Sequence, residues 1–256
     1  MTSDALTRVA LITGASAGLG EEFARQLAGT GLRLVLVARR RERIEALAAE
    51  LGDARAVALD LSEAGACAAL MADLAAAGEQ VELLVNNAGF GLAGRFAGLD
   101  AVQQRAMVDL NCGLLMELAR AVVPGMVERR SGGILNVAST AAFQPGPGMA
   151  VYFATKAFVL SFSEALHEEL APHRVRVTAL CPGPTKTEFG KVAGFGGNGI
   201  FDRLSADPPS VVRLGLKALK RNRAVAIPGL FNKASAQGHR LFPRLLVRKA
   251  TGLIKL

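Results

Sequence analysis

A short apolar run, Val9-Ala10-Leu11-Ile12-Thr13, leads directly into Gly14-Ala15-Ser16-Ala17-Gly18-Leu19-Gly20, and the residues from Glu21 to Ala28 have helical character. An apolar run this short reads as a strand buried on both faces, the kind found in parallel sheets. Strand, glycine turn and helix in that order bring backbone N–H groups and a helix N-terminus to one point, an arrangement suited to a pyrophosphate. The glycines fall as GxxxGxG, not as the GxGxxG of the general dinucleotide fingerprint. A tight turn that needs glycine only for positive φ is the alternative reading.

The units that follow repeat the alternation and narrow the nucleotide. Leu32 to Ala38 reads as a second strand and ends in Arg39-Arg40-Arg41, where an Asp or Glu would hold a ribose 2′-hydroxyl. A guanidinium there accommodates the 2′-phosphate of NADP, so NADP(H) is expected over NAD(H). Arg39 and Arg40 lie nearest the strand end, while Arg41 and Arg43 belong to a helix running to Leu51. Solvated helix-start charges are the competing account, weakened because arginine at a helix N-terminus opposes the macrodipole. Ala56 to Leu61 reads as a third strand with Asp60 at its carboxyl end, placed to meet an adenine edge. Leu83-Leu84-Val85 is a fourth, running into Asn86-Asn87-Ala88-Gly89. A glycine and paired amides there suit close approach to a cofactor, or tie neighbouring strands together. Alanine-rich helical stretches such as Ala64 to Ala77 separate the strands. The 256 residues therefore read as one α/β domain, a Rossmann-type doubly wound parallel sheet with helices on both faces.

Asp100 to Val127 is helical twice over, with Asn111 inside the first helix, where asparagine is poor on propensity. It is either a water-holding or helix-kinking group or a satisfied core amide. Ile134 to Ala138 is a fifth strand with Ser139 at its end, and the loop Phe143-Gln144-Pro145-Gly146-Pro147-Gly148 interrupts regular structure. The next helix carries Tyr152 and Lys156, four residues apart and so on one face. Tyr152 is the only tyrosine, and the chain has no tryptophan. An ammonium about 5 Å from a phenol, at an effective dielectric of about 20, favours the phenolate by roughly 3 kcal/mol. The phenol is then expected about two units below its ordinary value near 10, within range for proton transfer. Surface packing beside a solvated lysine is the ordinary account of a lone YxxxK. Val175 to Leu180 is a sixth strand, running into Cys181-Pro182-Gly183-Pro184-Thr185-Lys186-Thr187.

Taken together, Gly14-xxx-Gly18-x-Gly20, Asn86-Asn87-Ala88-Gly89, Asn111, Ser139, Tyr152-xxx-Lys156 and Pro182-Gly183 stand in the order found in the short-chain dehydrogenases/reductases, and the chain resembles that family from about Arg8 to Thr187. The resemblance implies hydride transfer between NADP(H) and a carbonyl or secondary alcohol. Tyr152 would be the general acid or base, Lys156 would lower its pKa and bind the nicotinamide ribose, and Ser139 would hydrogen-bond the substrate oxygen. Asn111 would hold a water in a proton relay. Ser16, Leu19, Asp60, Leu61, Asn87, Ala88 and Gly89 fall where such proteins contact the cofactor, as do Pro182, Gly183, Thr185 and Thr187. Position 185 is often Val or Ile in the family, and here it is Thr. A homo-oligomer, dimer or tetramer, is implied through the helices bearing Asn111 and Tyr152. A nucleotide-binding regulator or scaffold of the same fold is the alternative, disfavoured because it has no need of all four catalytic positions.

The segment 188–210 reads as a mobile substrate loop, with five glycines between positions 190 and 199. Phe189, Phe195 and Phe201, with Phe90 and Phe143, suggest an apolar wall for a hydrophobic substrate, unless they pack the core. The formal charge of +8 raises the question of nucleic acid or membrane. From Lys233 onward Leu241, Phe242, Leu245 and Leu246 recur at helical spacing among Arg240, Arg244, Arg248 and Lys249. Such a basic amphipathic stretch over 233–256 can touch a membrane interface, but docking on its own domain or a second subunit is expected. Nucleic acid is not expected, because the basic residues cluster with leucines and aromatic platforms are lacking. Cys67, Cys112 and Cys181 lack metal spacing and read as reduced thiols of a cytoplasmic protein. His167 and His173 read as exposed charges, and no metal is expected. There is no signal-peptide core, and no apolar run reaches the roughly 18 residues of a membrane span.

Overall fold

The apolar run at the start of the chain becomes the central strand of the sheet in a computed structural model that describes residues 6–194, 205–238 and 242–253. This strand, β1 (Thr7–Thr13), pairs in parallel with β2 (Arg33–Ala38) on one side and β4 (Glu79–Asn86) on the other. β3 (Ala54–Ala58) extends the sheet beyond β2, and β5 (Gly132–Val137), β6 (Val175–Leu180) and β7 (Val225–Ala226) follow β4. The order is β3-β2-β1-β4-β5-β6-β7, with every pairing parallel. The winding reverses between β1 and β4, which opens a crevice at their carboxyl ends.

Alternate residues of each strand enter opposite cores, as the pleat requires. Ala10, Ile12, Leu34 and Leu36 meet one layer of helices: α1 (Gly18–Leu27) through Phe23 and Leu27, α2 (Arg41–Leu51) through Ile44 and Leu47, and α8 (Pro208–Lys220) through Val211, Val212 and Leu219. Val9, Leu11, Val35 and Val37 meet the other layer: α3 (Ala66–Ala76) through Leu70 and Leu74, α5 (Leu115–Glu128) through Leu118, Val122 and Met126, and α6 (Ala150–Leu170) through Leu170. The expected sheet with helices on both faces is present, in one sheet.

Several local expectations are corrected. The third strand ends at Ala58, not at Leu61. Asp60 Oδ1 accepts from the Ser62 N–H (2.9 Å) and the Ser62 hydroxyl (2.6 Å), an Asx turn that takes the chain out of the sheet. Phe143 closes a 3-10 turn, Thr140–Phe143, so the irregular loop starts one residue later. α4 (Ala101–Val108) does not stop before α5 but passes into it through a π-helical turn, Asp109–Leu114. His167 is half-buried, its Nδ1 lying 2.8 Å from the Val177 carbonyl, and so ties α6 to β6.

After β6 come a short helix, α7 (Phe189–Ala193), and after β7 come α9 (Leu230–Gly238) and α10 (Arg244–Leu253). Phe242, Leu245 and Leu246 remain half or more exposed, so of the two expected dockings, on the domain itself or on a second subunit, the first does not bury them. Phe195, Phe201 and the glycines at 196, 197 and 199 lie outside the described residues, as do His239, Arg240, Leu241 and residues 254–256. Among the described residues no helix is long and apolar enough to cross a membrane.

Candidate active site

The tight-turn reading of the glycine run holds. Gly14 (φ +66°) and Gly18 (φ +59°) occupy the left-handed region. A Cβ on Gly20 would lie 2.1 Å from the Gly14 carbonyl oxygen and 2.6 Å from Asn87 Nδ2, so only glycine lets α1 start this close to β1 and β4. The first turn of α1 consequently faces the crevice with its N–H groups, beside the half-buried Ser16 and Leu19.

Thr13, at the end of β1, holds the neighbouring strand end. Its Oγ1 accepts from the N–H groups of Asn87 and Ala88, both at 3.0 Å, and donates to the Val85 carbonyl. Asn87 Nδ2 donates back to the Thr13 carbonyl at 2.9 Å. Asn86 donates to Asn136 Oδ1 (3.0 Å), and Asn136 donates to Ser163 Oγ (2.9 Å), which joins β4, β5 and α6. The paired amides therefore do tie strands together. Thr13, Asn136 and Ser163 were not visible as participants in the sequence.

Asn111 lies in the π-helical turn, a feature frequent at functional sites. Its Oδ1 accepts from the Phe90 N–H (3.1 Å), and its Nδ2 donates to the Phe90 carbonyl (2.9 Å) and to Thr155 Oγ1 (3.1 Å). It is thus a satisfied buried amide that sits where the helix winding changes. A Cβ on Gly89 would approach Asn111 Oδ1 to 2.7 Å, so glycine is required there as well.

Ser139, Tyr152 and Lys156 come together from β5 and α6. Tyr152 is hydrogen-bonded to Ser139, which also accepts from the Ala141 N–H at 3.1 Å and donates to the Pro182 carbonyl at 3.4 Å. Lys156 Nζ donates to the Val137 carbonyl at 2.8 Å and stands 5.8 Å from the centroid of the Tyr152 ring. Both side chains are buried. Burial pushes the Tyr152 phenol up to about 12, with the Ser139 bond opposing, and pushes Lys156 down to about 8. This corrects the lowered phenol expected from helical spacing alone. The ammonium faces the ring and a carbonyl, and desolvation penalises phenolate and ammonium alike. Burial also raises the Cys112 and Cys181 thiols, to about 11 and about 12, so neither has thiolate character.

At the other end of the crevice Arg40 donates through Nε to Ser16 Oγ (3.0 Å) and through Nη1 to Glu188 (2.7 Å). Arg43 Nη1 donates to the other Glu188 oxygen at 2.9 Å. Arg39 is largely exposed and lies 3.7 Å from Asp60, whose carboxylate is already engaged by Ser62. Leu61 is buried in the core beneath, so only its backbone can face the crevice. Along the loop after β6, Thr185 Oγ1 donates to the Gly183 carbonyl at 3.0 Å, and Thr187 packs over the glycine turn, 3.1 Å from where a Gly18 Cβ would be. Phe189 lies on Tyr152 with ring centroids 5.5 Å apart. Phe90 shares that cluster, whereas Phe143 packs elsewhere, against the core around Leu115 and Val159. Nothing local in the sequence joins Glu188 to Arg40 and Arg43. Positive-φ glycines, a helix N-terminus and a guanidinium cluster on one crevice fit a phosphorylated dinucleotide. Among the described residues no three His, Cys, Asp or Glu side chains group to hold a metal.

The family model for short chain dehydrogenases matches residues 8–194. The chain belongs to the short-chain dehydrogenase/reductase family. It is therefore an oxidoreductase. Among curated relatives of this short-chain dehydrogenase, the NADP-dependent 3-hydroxy acid dehydrogenase of Salmonella typhi is 43% identical over 187 residues, covering 72% of this chain and 75% of that one. A short-chain dehydrogenase from Sphingobium yanoikuyae in complex with NADPH superposes with a TM-score of 0.82 at 34% identity, covering 98% and 97% of the two chains. The bulky-bulky ketone specific alcohol dehydrogenase from Comamonas testosteroni has a TM-score of 0.76 at 31% identity, covering 93% and 94%.

Proposed function

We propose that this enzyme transfers a hydride between NADP(H) and an apolar ketone or secondary alcohol, with Tyr152 giving or taking the proton on the substrate oxygen. The observation that carries the reading is the buried cluster at the carboxyl edge of the sheet, where the only phenol of the chain is hydrogen-bonded to Ser139 with Lys156 one helical turn beyond. NADP(H), when bound, supplies or accepts the hydride at its nicotinamide ring. Gly14, Ser16, Gly18, Leu19 and Gly20 would hold its pyrophosphate, and Arg39 and Arg40 its 2′-phosphate. Asp60 and Leu61 would border the adenine. Asn87, Ala88 and Gly89 would line the nicotinamide end, with Pro182, Gly183, Thr185 and Thr187. The NADP dependence named for the Salmonella relative and the NADPH named for the Sphingobium structure support that choice of cofactor.

At about 12 the phenol is protonated at neutral pH, the form that carbonyl reduction needs, though burial makes it a weaker acid than an ordinary phenol. Ser139 hydrogen-bonds the same oxygen and stabilises the charge that develops there. Lys156 would meet the nicotinamide ribose, and Asn111, its side-chain amide held by Phe90 and Thr155, stands behind it at the proton-relay position. Met107, Met149 and Ala193 bury the Tyr152 ring together with Phe90, Leu92 and Phe189, which supports an apolar substrate. Exposed Val108, Met116 and Phe158 on α4, α5 and α6 support a homo-oligomer formed through those helices.

The test is NADPH consumption against ketones of increasing apolar bulk, with 3-oxo acids alongside. Turnover should rise with apolar bulk and vanish in Tyr152→Phe. NADPH binding without turnover of any carbonyl would overturn the reaction, and a preference for small 3-oxo acids would overturn the substrate class.

A further inference from the structure

Three consecutive residues after β6 touch three separate parts of the crevice. Thr187 covers the glycine turn at Gly18, Glu188 is clasped by Arg40 and Arg43, and Phe189 lies on Tyr152. The strap is hitched at both ends. The Lys186 N–H donates to the Ala206 carbonyl (3.0 Å), the Ala206 N–H donates to the Pro184 carbonyl (2.8 Å), and the Ala93 N–H donates to the Ala193 carbonyl (2.9 Å). Between those points the Glu188 carboxylate is a charged anchor, with one oxygen on each guanidinium. The two guanidinium groups hold that carboxyl down to about 2, so it is ionised at any physiological pH.

We propose that Glu188 is a cofactor-specificity residue: its carboxylate stands in for the 2′-phosphate on Arg40, so that NADP(H) must displace it, and its release frees Phe189 from Tyr152. This rests on the reading of Arg40 as part of the 2′-phosphate site. A carboxylate carries one negative charge, whereas a phosphate monoester carries about one and a half to two and offers three acceptor oxygens, so the phosphate wins the guanidinium. NAD(H) has a hydroxyl at that place, cannot compete, and leaves the strap clasped across the crevice. Phosphate recognition at one end of the crevice is thereby coupled to uncovering the phenol at the other. Glu188 touches no reacting atom in this scheme. It acts through Arg40 and Phe189.

Having one tyrosine and no tryptophan, the protein reports on Tyr152 directly through its intrinsic fluorescence. The full chain and Glu188→Gln are titrated by calorimetry with adenosine 2′,5′-bisphosphate and with adenosine 5′-monophosphate, and acrylamide quenching of the tyrosine is measured in each state. The variant should bind the bisphosphate about three- to ten-fold more tightly, the scale expected for two exposed ion pairs no longer in competition, with the monophosphate unchanged. Bisphosphate should raise the quenching constant of the native chain to the level that Glu188→Gln shows without ligand. Equal bisphosphate affinity in the two proteins, or quenching that the bisphosphate leaves unaltered, would overturn the clasp while leaving the 2′-phosphate site intact. No preference for bisphosphate over monophosphate in either protein would overturn both.

Discussion

Lys156 donates to the carbonyl of Val137, 2.8 Å away, and stands 5.8 Å from the centroid of the Tyr152 ring, so its ammonium is buried against a ring and a dipole, and among the described residues no carboxylate pairs with it. Burial moves it from 10.5 down to about 8. The unfolded chain then holds more protons than the folded one between those values, and stability rises as pH rises from about 8 to about 10.5. Below about 8 the full penalty of the buried charge applies. Lys156→Met removes the penalty and is expected to be the more stable protein at about pH 7, by on the order of 3 kcal/mol, with the gap closing towards about pH 10. Urea unfolding of both proteins across that range checks it. A gap independent of pH would mean that Lys156 titrates normally.

Tyr152 and Ser139 share one hydrogen bond yet are assigned different tasks, and the variants should separate them. Tyr152→Phe removes the proton donor and should lower kcat by about 100- to 10,000-fold. Ser139→Ala removes one donor to the developing oxyanion and should lower kcat by about 100- to 1,000-fold. NADPH affinity, read by fluorescence titration, should stay within about twofold of the native value in both, because neither loss alters the phosphate-binding side. Weakened NADPH binding equal to the loss in kcat would point to a disturbed crevice in place of lost chemistry.

The glycines offer a contrast in cause. At Gly20 an added Cβ meets the Gly14 carbonyl oxygen at 2.1 Å, an atom fixed by β1, so the helix must move. Gly20→Ala is expected to destabilise by about 3 kcal/mol or more and to abolish NADPH binding. Gly31 also has positive φ (+85°) but nothing within 4 Å of the added atom. Gly31→Ala should lose only the conformational term, about 1 to 2 kcal/mol, with NADPH binding intact. Thermal unfolding with and without NADPH distinguishes the two.

What could be read from the sequence was local. The strand before Gly14, the helix after it and the shared face of Tyr152 and Lys156 depend on periods of two and 3.6 residues, which the chain carries in plain view. The sequence is silent where a distant partner decides. Thr13 looks like an ordinary strand-ending threonine until Asn87 and Ala88 arrive 74 and 75 residues later. Glu188 meets Arg40 and Arg43 across 148 and 145 residues. Spacing put a cation near the phenol but carried no information on how completely both would be desolvated, and desolvation sets the direction of both shifts. Phe143 and Phe189 are alike in sequence, and only the tertiary fold separates the one in the core from the one on Tyr152.

Arg39 and Arg40 were one feature in the sequence and are two in the structure. Arg40 is oriented by Ser16 and Glu188, while Arg39 projects outward near Asp60. A guanidinium already aimed across the crevice loses less freedom when it takes a phosphate, so Arg40 should contribute more. Arg40→Ala is expected to weaken NADPH binding by about 10- to 100-fold, the scale of one or two charge-assisted hydrogen bonds, and Arg39→Ala by about tenfold or less. NADH, which has a hydroxyl in place of the phosphate, should lose no more than about threefold in either variant. Equilibrium titration of both coenzymes against the native chain, each single variant and the double variant checks the ranking. Equal losses for NADPH and NADH would remove the 2′-phosphate from these arginines. A larger loss from Arg39→Ala would move it to the exposed side chain, and Glu188 would then be an ordinary surface ion pair.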